Sequence, residues 1–466
     1  MWARRWPWPC LLTVLLAGLP SCRTADTGAE APPAAARAIP IDHVIVVFLE
    51  NRSFDHLYGQ FSGARGLQGP EARIPQTDRD GRPYVSLPPV TVGHGKTEVD
   101  PRFPAALLNA SFVIDPFAPA DQKTPSPEHR FYQHILQVDR GKMDRYVAWS
   151  GTGGLPMGHY ETTKLPLYPY ARRYALADGY FTAAFGGSWL NHMWLICACT
   201  ALFPDAPADM RADPTFDAVG RLVGLARDGD VTPDGFAVND LQPFARPYYP
   251  GTPDARRVPP QTMPTIGDRL SAAGVSWAWY AGGWDDAVAG RPDPLFQFHH
   301  QPFVFFAAYA EGSEARAQHL KDEAEFSRSL GDGTLPAVSY IKPIGEVNSH
   351  AGYSTVWAGE THAVGLIEAV ERSPYWKRSV IIVTYDDFGG WYDHVPPPAI
   401  DRWGQGGRVP ALIVSPFAKK GFVDSTRYDH TSILRFIEWR WRLTPLASRD
   451  AAANNLLNAF DFSQEP

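Results

Sequence analysis

Asp386 and Asp387 stand side by side at the end of the apolar run "SVIIVTYDD" (379–387). Two adjacent carboxylates in a buried setting repel, and one would be driven toward its protonated form. A turn is one explanation, because Asp and the following Gly389-Gly390 are common turn residues. A bound cation is another, since it would offset the repulsion. Other apolar runs end in the same way. "HVIVVFLEN" (43–51) closes on Glu50-Asn51, "AVSYIKPIG" (337–345) precedes Glu346, Asn348 and His350, and "SWAWYAGGW" (276–284) precedes Asp285 and Asp286. Glu50, Asn51, Asp386 and Asp387 are all oxygen donors, a set suited to a hard divalent cation rather than to a thiolate zinc site.

A nucleophile candidate lies in "FGGSWLNHMWLICACT" (185–200). Gly186-Gly187 permits a tight turn, and Ser188 falls where an apolar helical run begins. Free N–H groups at a helix start favour an anion, and Asn191, within one turn, is placed to face the same anion. The plain alternative is a helix-capping serine. A serine hydroxyl needs a base or a metal to become a good nucleophile. No G-x-S-x-G elbow is present, so metal activation by the carboxylates suits the residues better than a lipase-like triad. Among the histidines, His134, His192 and His394 read first as packed structural residues. His129 follows a Pro-rich loop and His350 lies just past a strand, while the adjacent pair His299-His300 has two imidazoles able to hold a phosphoryl oxygen.

The apolar runs at 43–51, 276–284, 337–345, 379–387 and 410–418 predict buried strands. Helical patterns lie between them at 263–274, 360–374 and 431–441, the last opening on a Thr-Ser cap. This alternation predicts an α/β fold with a largely parallel sheet, whose ligands bind beyond the carboxyl ends of the strands. The 44 prolines and 40 glycines imply many ordered loops, and the loop-rich stretches 60–128 and 204–262 are expected to shape the pocket mouth. A net charge of −7 argues against nucleic-acid binding through a basic face.

The N-terminus reads as an export signal over 1–22, with Arg4 and Arg5 ahead of the apolar stretch Leu11–Leu19. Leu19-Pro20-Ser21-Cys22 makes a lipoprotein signal possible, with membrane association through a lipid on Cys22. A Pro/Ala-rich linker follows over 23–40. The expected location is outside the cytoplasm: periplasmic, secreted or lipid-anchored. Cys197 and Cys199, one residue apart in a helical run, point away from each other on a helix and are expected as buried thiols.

Seven blocks together resemble the bacterial phosphoesterase family, which includes non-haemolytic phospholipases C and an exported acid phosphatase branch. They are "HVIVVFLENRSFDHLYG", "SPEHRFYQHILQVDRGKMD", "FGGSWLNHMWLI", "FQFHHQPF", "NSHAGYS", "TYDDFGGWYDHVPPP" and "YDHTSILRFIEWRW", in family order over about 40–442. The resemblance implies an alkaline-phosphatase-like α/β/α sandwich, with a mostly parallel central sheet and long loop insertions. It assigns the catalytic domain to 41–445 and a tail to 446–466. It also implies one divalent metal ion held by Glu50, Asn51, Ser188, Asp386 and Asp387. Ser188 takes the nucleophile position. His129 and His350 resemble residues that bind the phosphoryl group or serve the leaving group, and His299 and His300 resemble phosphate-pocket residues. "FQFHHQPF" and the Gly-Ser-Trp-Leu-Asn-His segment favour the acid phosphatase branch. Asp387 stands where many relatives carry Glu. The implied function is a phosphomonoester hydrolase working through a phosphoserine on a small phosphate ester. One alternative is a phospholipase C, with Trp279, Tyr280 and Trp284 caging a quaternary ammonium. Another is a non-enzymatic surface protein binding metal or phosphate.

Overall fold

The β-branched and aromatic run His43–Leu49 forms the first strand, β1, with six of its seven residues buried. The computed structural model describes residues 39–466, so the expected signal peptide, Cys22 and most of the linker lie outside the described residues. Seven further strands complete one sheet: β2 (Ala175–Ala177), β3 (Trp277–Ala281), β4 (Leu320–Asp322), β5 (Val338–Lys342), β6 (Ser379–Tyr385), β7 (Ala411–Val414) and β8 (Phe422–Asp424). Their spatial order is β4-β3-β5-β1-β6-β7-β2-β8.

β1 lies at the centre. It pairs in parallel with β5, Val44 opposite Val338, and with β6, His43 opposite Ser379 through Leu49 opposite Tyr385. β3 continues the parallel array on β5 and β4 on β3. β7 runs antiparallel to both β6 and β2. Every residue of β3, β5 and β6 is buried. Side chains alternate between faces along a strand, so both faces of the sheet are covered, as a mostly parallel α/β sheet requires.

Six helices matter for the site and its support: α1 (Phe54–Tyr58), α2 (Phe131–Val138), α3 (Ser188–Cys197), α4 (Ile266–Ala272), α5 (Val356–Glu371) and α6 (His430–Trp441). α4 opens on a Thr265–Asp268 capping box. α6 begins a residue earlier than its Thr-Ser pair suggests, because Asp429 is the cap and Ser432 its partner. α5 is the crossover between β5 and β6, which is what makes those strands parallel neighbours of β1. The loop-rich stretches carry short 3-10 turns and small strand pairs, such as Ser86–Leu87 with Leu107–Leu108 and the hairpin Asp213–Phe216 with Leu222–Arg227.

Two sequence expectations change here. Cys197 and Cys199 form a disulfide rather than a pair of thiols. The helix stops at Cys197, and Ala198 takes a left-handed backbone (φ 47°) that turns Cys199 back toward it. The residues after 445 include a further helix, labelled α7 (Ser448–Ala452), and a 3-10 turn (Leu456–Ala459) that bury Leu456, Ala459 and Phe460 against the core. Among the described residues no helix is long and apolar enough to cross a membrane.

Candidate active site

The carboxyl ends of β1, β5 and β6 lie side by side, and the residues just beyond them converge. Backbone bonds lock the convergence: Glu50 N–H donates to Asn348 O (2.8 Å), Asp386 N–H to Leu49 O (2.9 Å) and Arg52 N–H to Asp387 O (2.9 Å). Asn51 sits at φ 61°, which swings its side chain in beside those of Glu50 and Asp387. Gly389, itself left-handed at φ 65°, must be glycine here, because a Cβ would lie 2.2 Å from the Asn51 carbonyl oxygen.

Ser188, the first residue of α3, enters from the other side. Its Oγ lies 3.0 Å from Glu50 Oε2, 3.1 Å from Asp387 Oδ2 and 3.2 Å from Asn51 Oδ1. Asp386 Oδ1 accepts the N–H groups of Asn51 (3.1 Å) and Asp387 (2.7 Å), and Asp387 Oδ1 accepts Gly389 N–H (2.6 Å). All five residues are buried.

The neutral His350 ring sets how Asn51 is turned. His129 gives its Nδ1–H to Pro127 O (2.7 Å), and His350 gives its own to Ala351 O. Burial pushes His350 down to about 4, so the ring is neutral and Nε2 presents a lone pair. The Asn51 amide nitrogen lies 2.9 Å from Nε2 of both rings. Its oxygen therefore faces the acids, 2.6 Å from Glu50 Oε2, 3.1 Å from Asp386 Oδ1 and 3.2 Å from Asp387 Oδ2. Turning the amide over would let nitrogen donate to the acids but would set oxygen against the His350 lone pair.

Converging oxygens with no donor among them apart from one hydroxyl are the arrangement a cation satisfies. The charges agree. Burial raises Asp386 well above the usual carboxylate range, with Glu50 adding repulsion, and burial raises Asp387 to about 6. Burial would raise Glu50 too, but Lys342 and His300 outweigh it and hold Glu50 well below that range. Three acids against one buried ammonium leave two negative charges that a divalent cation would balance. Glu50, Asn51, Ser188, Asp386 and Asp387 thus fit a hard divalent cation through oxygen donors alone.

Lys342, the last residue of β5, escaped the sequence reading. It is fully buried, with Nζ 2.5 Å from Glu50 Oε1 and 3.1 Å from Asp386 Oδ2. The signal was the one that exposed Glu50: a charged side chain closing an apolar strand. His300 Nε2 lies 2.7 Å from the same Glu50 oxygen, and burial pushes this histidine down to about 3. His300 therefore supports a cation ligand instead of offering a proton to phosphate. His299 packs edge-on against His300, its Nε2 3.9 Å from Asp240 Oδ2.

Several expectations are corrected. Asn191 does not face the anion site: it is fully buried, accepts Ala184 N–H (3.0 Å) and donates to Gly187 O (3.1 Å), which shapes the turn before α3. The start of α3 is not wholly free for phosphate, because Trp189 N–H donates to Asp240 Oδ1 (3.2 Å). Asp285, Asp286 and Glu346 are exposed and take no part. Trp279 is core: it stacks on Tyr340 and donates to the His300 carbonyl (2.9 Å), so it forms no cage. A second acidic cluster, Asp55, Asp393 and His394, is filled by the Arg408 guanidinium, which donates to both carboxylates at 2.9–3.2 Å.

A covered, mostly parallel sheet thus carries a buried serine among oxygen donors at its carboxyl edge, a site that a divalent cation would fit. The chain belongs to the phosphoesterase family, whose model matches residues 41–444. It is 25% identical to a non-hemolytic phospholipase C of Pseudomonas aeruginosa, over 97% of this chain and 61% of that protein. It is 22% identical to phospholipase C A of Mycobacterium tuberculosis, over 94% of this chain and 80% of that protein. The chain thus spans about three fifths of the length of the first of these. Among solved structures, a protein in the alkaline phosphatase superfamily from Vibrio parahaemolyticus aligns over 74% of this chain and 76% of that chain. Identity is 12% and the TM-score 0.34, too low to carry an argument. The α/β assignment stands on the sheet itself.

Proposed function

We propose that this chain hydrolyses phosphomonoesters of small alcohols, with Ser188 as nucleophile and one divalent cation in the oxygen site. The observation that carries the reading is Ser188 Oγ within 3.0–3.2 Å of Glu50, Asn51 and Asp387. A cation held there by Glu50, Asn51, Asp386 and Asp387 would supply Lewis acidity to the phosphoryl oxygen and would lower the pKa of the serine hydroxyl. Ser188 releases its hydroxyl proton to solvent at that lowered pKa, and Oγ forms a bond to phosphorus as the P–O bond to the leaving group breaks. Burial would lower His129, but the Asp387 carboxylate outweighs it and raises the ring, so His129 gives the departing oxygen its proton while the neutral His350 holds the Asn51 amide. Water then attacks the phosphoserine, releasing inorganic phosphate and restoring the hydroxyl. His299, packed on His300, holds a phosphoryl oxygen.

The relatives favour a second reading, a phospholipase C acting on phosphodiesters of lipids. Rates on p-nitrophenyl phosphate and on phosphatidylcholine separate the two. Ser188→Ala is expected to lose at least about a thousandfold in kcat on the better substrate. Dialysis against a chelator should abolish turnover, restored by one equivalent of metal. Substantial activity in Ser188→Ala, or full activity after chelation, would refute the reading. An exported protein, periplasmic, secreted or anchored at Cys22, completes the proposal and rests on residues 1–22.

A further inference from the structure

Arg52 follows the two site residues Glu50 and Asn51 directly, yet its side chain points away from them. It is almost fully buried. Its guanidinium bonds to a carbonyl and an imidazole, not to a carboxylate: Nε (3.1 Å) and Nη2 (2.6 Å) both donate to Ser349 O, and Nη1 lies 3.2 Å from His56 Nε2. His56 gives its Nδ1–H to Gly158 O (2.7 Å) and stacks on Trp391, whose ring also lies under the guanidinium at 5.3 Å. A buried cation without an ionic partner is expensive to keep, and this one is aimed with two donors at a single atom.

That atom belongs to an unusual residue. Ser349 is left-handed at φ 81°, where a side chain with a Cβ is strained. Its neighbours enforce it. A Cβ on Gly359 of α5 would lie 2.1 Å from Ser349 Oγ and 2.5 Å from its N, so the helix packs directly on the turn. The consequence falls on the next residue. His350 N–H donates to Asn348 Oδ1 (2.9 Å), the ring stacks on Tyr353 with centroids 4.2 Å apart, and Nε2 reaches the Asn51 amide at 2.9 Å.

We infer that Arg52 is a positioning residue that clamps the strained Ser349 carbonyl and so holds His350 against Asn51. Because Arg52 is covalently next to Asn51, the clamp ties the metal-type ligands and the histidine to one short piece of backbone. Movement of the 348–353 turn relative to β1 is then blocked at both its Asn348 and its Ser349 carbonyls. The inference rests on the proposed phosphoester chemistry for its kinetic effect, but not for the clamp itself.

The test compares the full chain with Arg52→Met, Arg52→Lys, His350→Asn and the Arg52→Met/His350→Asn double variant. Turnover is followed on p-nitrophenyl phosphate and on 2-glycerophosphate. Arg52→Met is expected to lose kcat on the order of tenfold on both esters, with KM nearly unchanged, because Asn51 loses the ring that holds its amide. Arg52→Lys should fall between it and the parent. The double variant should lose no more than His350→Asn alone, since both act through one ring. Additive losses in the double variant, or parent-like kcat in Arg52→Met, would overturn the inference. A second readout needs no turnover. In 15N-histidine spectra, with His350→Asn for assignment, His350 should be a single Nδ1–H tautomer in the parent and a mixture in Arg52→Met. An unchanged signal in Arg52→Met refutes the clamp. Failure of the parent to cleave either ester refutes the functional reading, and the spectra then decide the clamp alone.

Discussion

Lys342 shows how one side chain sets the electrostatics of the whole centre. Its ammonium occupies the outer oxygens of Glu50 and Asp386, and the inner oxygens are left to meet Ser188 and Asn51. Removing it would leave two buried carboxylates with no internal counter-charge, a change that costs about 3–5 kcal/mol when a buried pair is broken. A divalent cation would recover part of that loss. Lys342→Met should therefore become metal-dependent for stability. Adding a chelator should lower its thermal midpoint by clearly more than it lowers the parent's. Equal shifts in the two proteins would show that Lys342 and a cation do not share these carboxylates. At this scale the sequence was informative about donor type. Glu50, Asn51, Asp386 and Asp387 were legible because acids at the ends of apolar strands have no ordinary reason to be there. Asn191 misled, because an amide one turn from Ser188 can equally well turn inward and satisfy the backbone of its own turn.

The Arg408 network acts on elements. The guanidinium precedes β7, reaches Asp55 in α1 and Asp393 in the loop after β6, and donates to the carbonyls of Arg65 (2.7 Å) and Asp178 (3.0 Å). With His394 on Asp55 (2.6 Å), the network holds two cationic groups against two acids and pins the loop that follows Asp386-Asp387. Burial would lower His394, but the bond to Asp55 outweighs it and raises the histidine above its usual range. A raised folded value means that His394 stabilises fully below its unfolded pKa, near 6.5. The contribution then fades as pH rises through the folded value. His394→Gln should flatten that part of the stability–pH curve in urea titrations. An unchanged slope would show that the ring does not titrate with folding. Adding metal to Arg408→Met should not restore its stability, because the site is built around a guanidinium. The strand and helix assignments at this scale came from runs of apolar residues, which report burial well. The short loop elements of 60–128 and 204–262 were not legible, since their pairs are a few residues long and set by contacts far away in sequence.

Across the molecule, a buried carboxyl pair is one of the contacts that join the C-terminal segment to the core. Glu438 on α6 is 1% exposed and meets Asp450 of α7, whose oxygens accept the N–H groups of Leu446 (2.6 Å) and Ala447 (2.8 Å). Burial, and then the Asp450 carboxylate, push Glu438 up from 4.5 to about 9. The folded protein therefore holds a proton that the unfolded chain releases. Stability from this pair is complete below about pH 4.5 and is lost as pH rises through about 9. Glu438→Gln keeps a neutral group and should remove that alkaline decline, measured as the denaturation midpoint between pH 6 and 10. A parallel decline in parent and variant would remove Glu438 as its source.

The amino-acid order alone determined the chemistry on offer: oxygen donors at strand ends, a serine after two glycines and a nearly uncharged set of central strands. Those follow from residue type and short-range period, which are local properties. Only the tertiary structure decided which donors meet. β5 and β6 flank β1 although they lie some three hundred residues further along the chain, and this alone brings Lys342 and Asp386 to Glu50. Left-handed backbone at Asn51, Ala198 and Ser349 then aimed an amide, a disulfide and a histidine in directions that residue spacing cannot encode. Such conformations are held by distant neighbours, as Gly359 and Arg52 hold Ser349, so they exist only once the fold is complete.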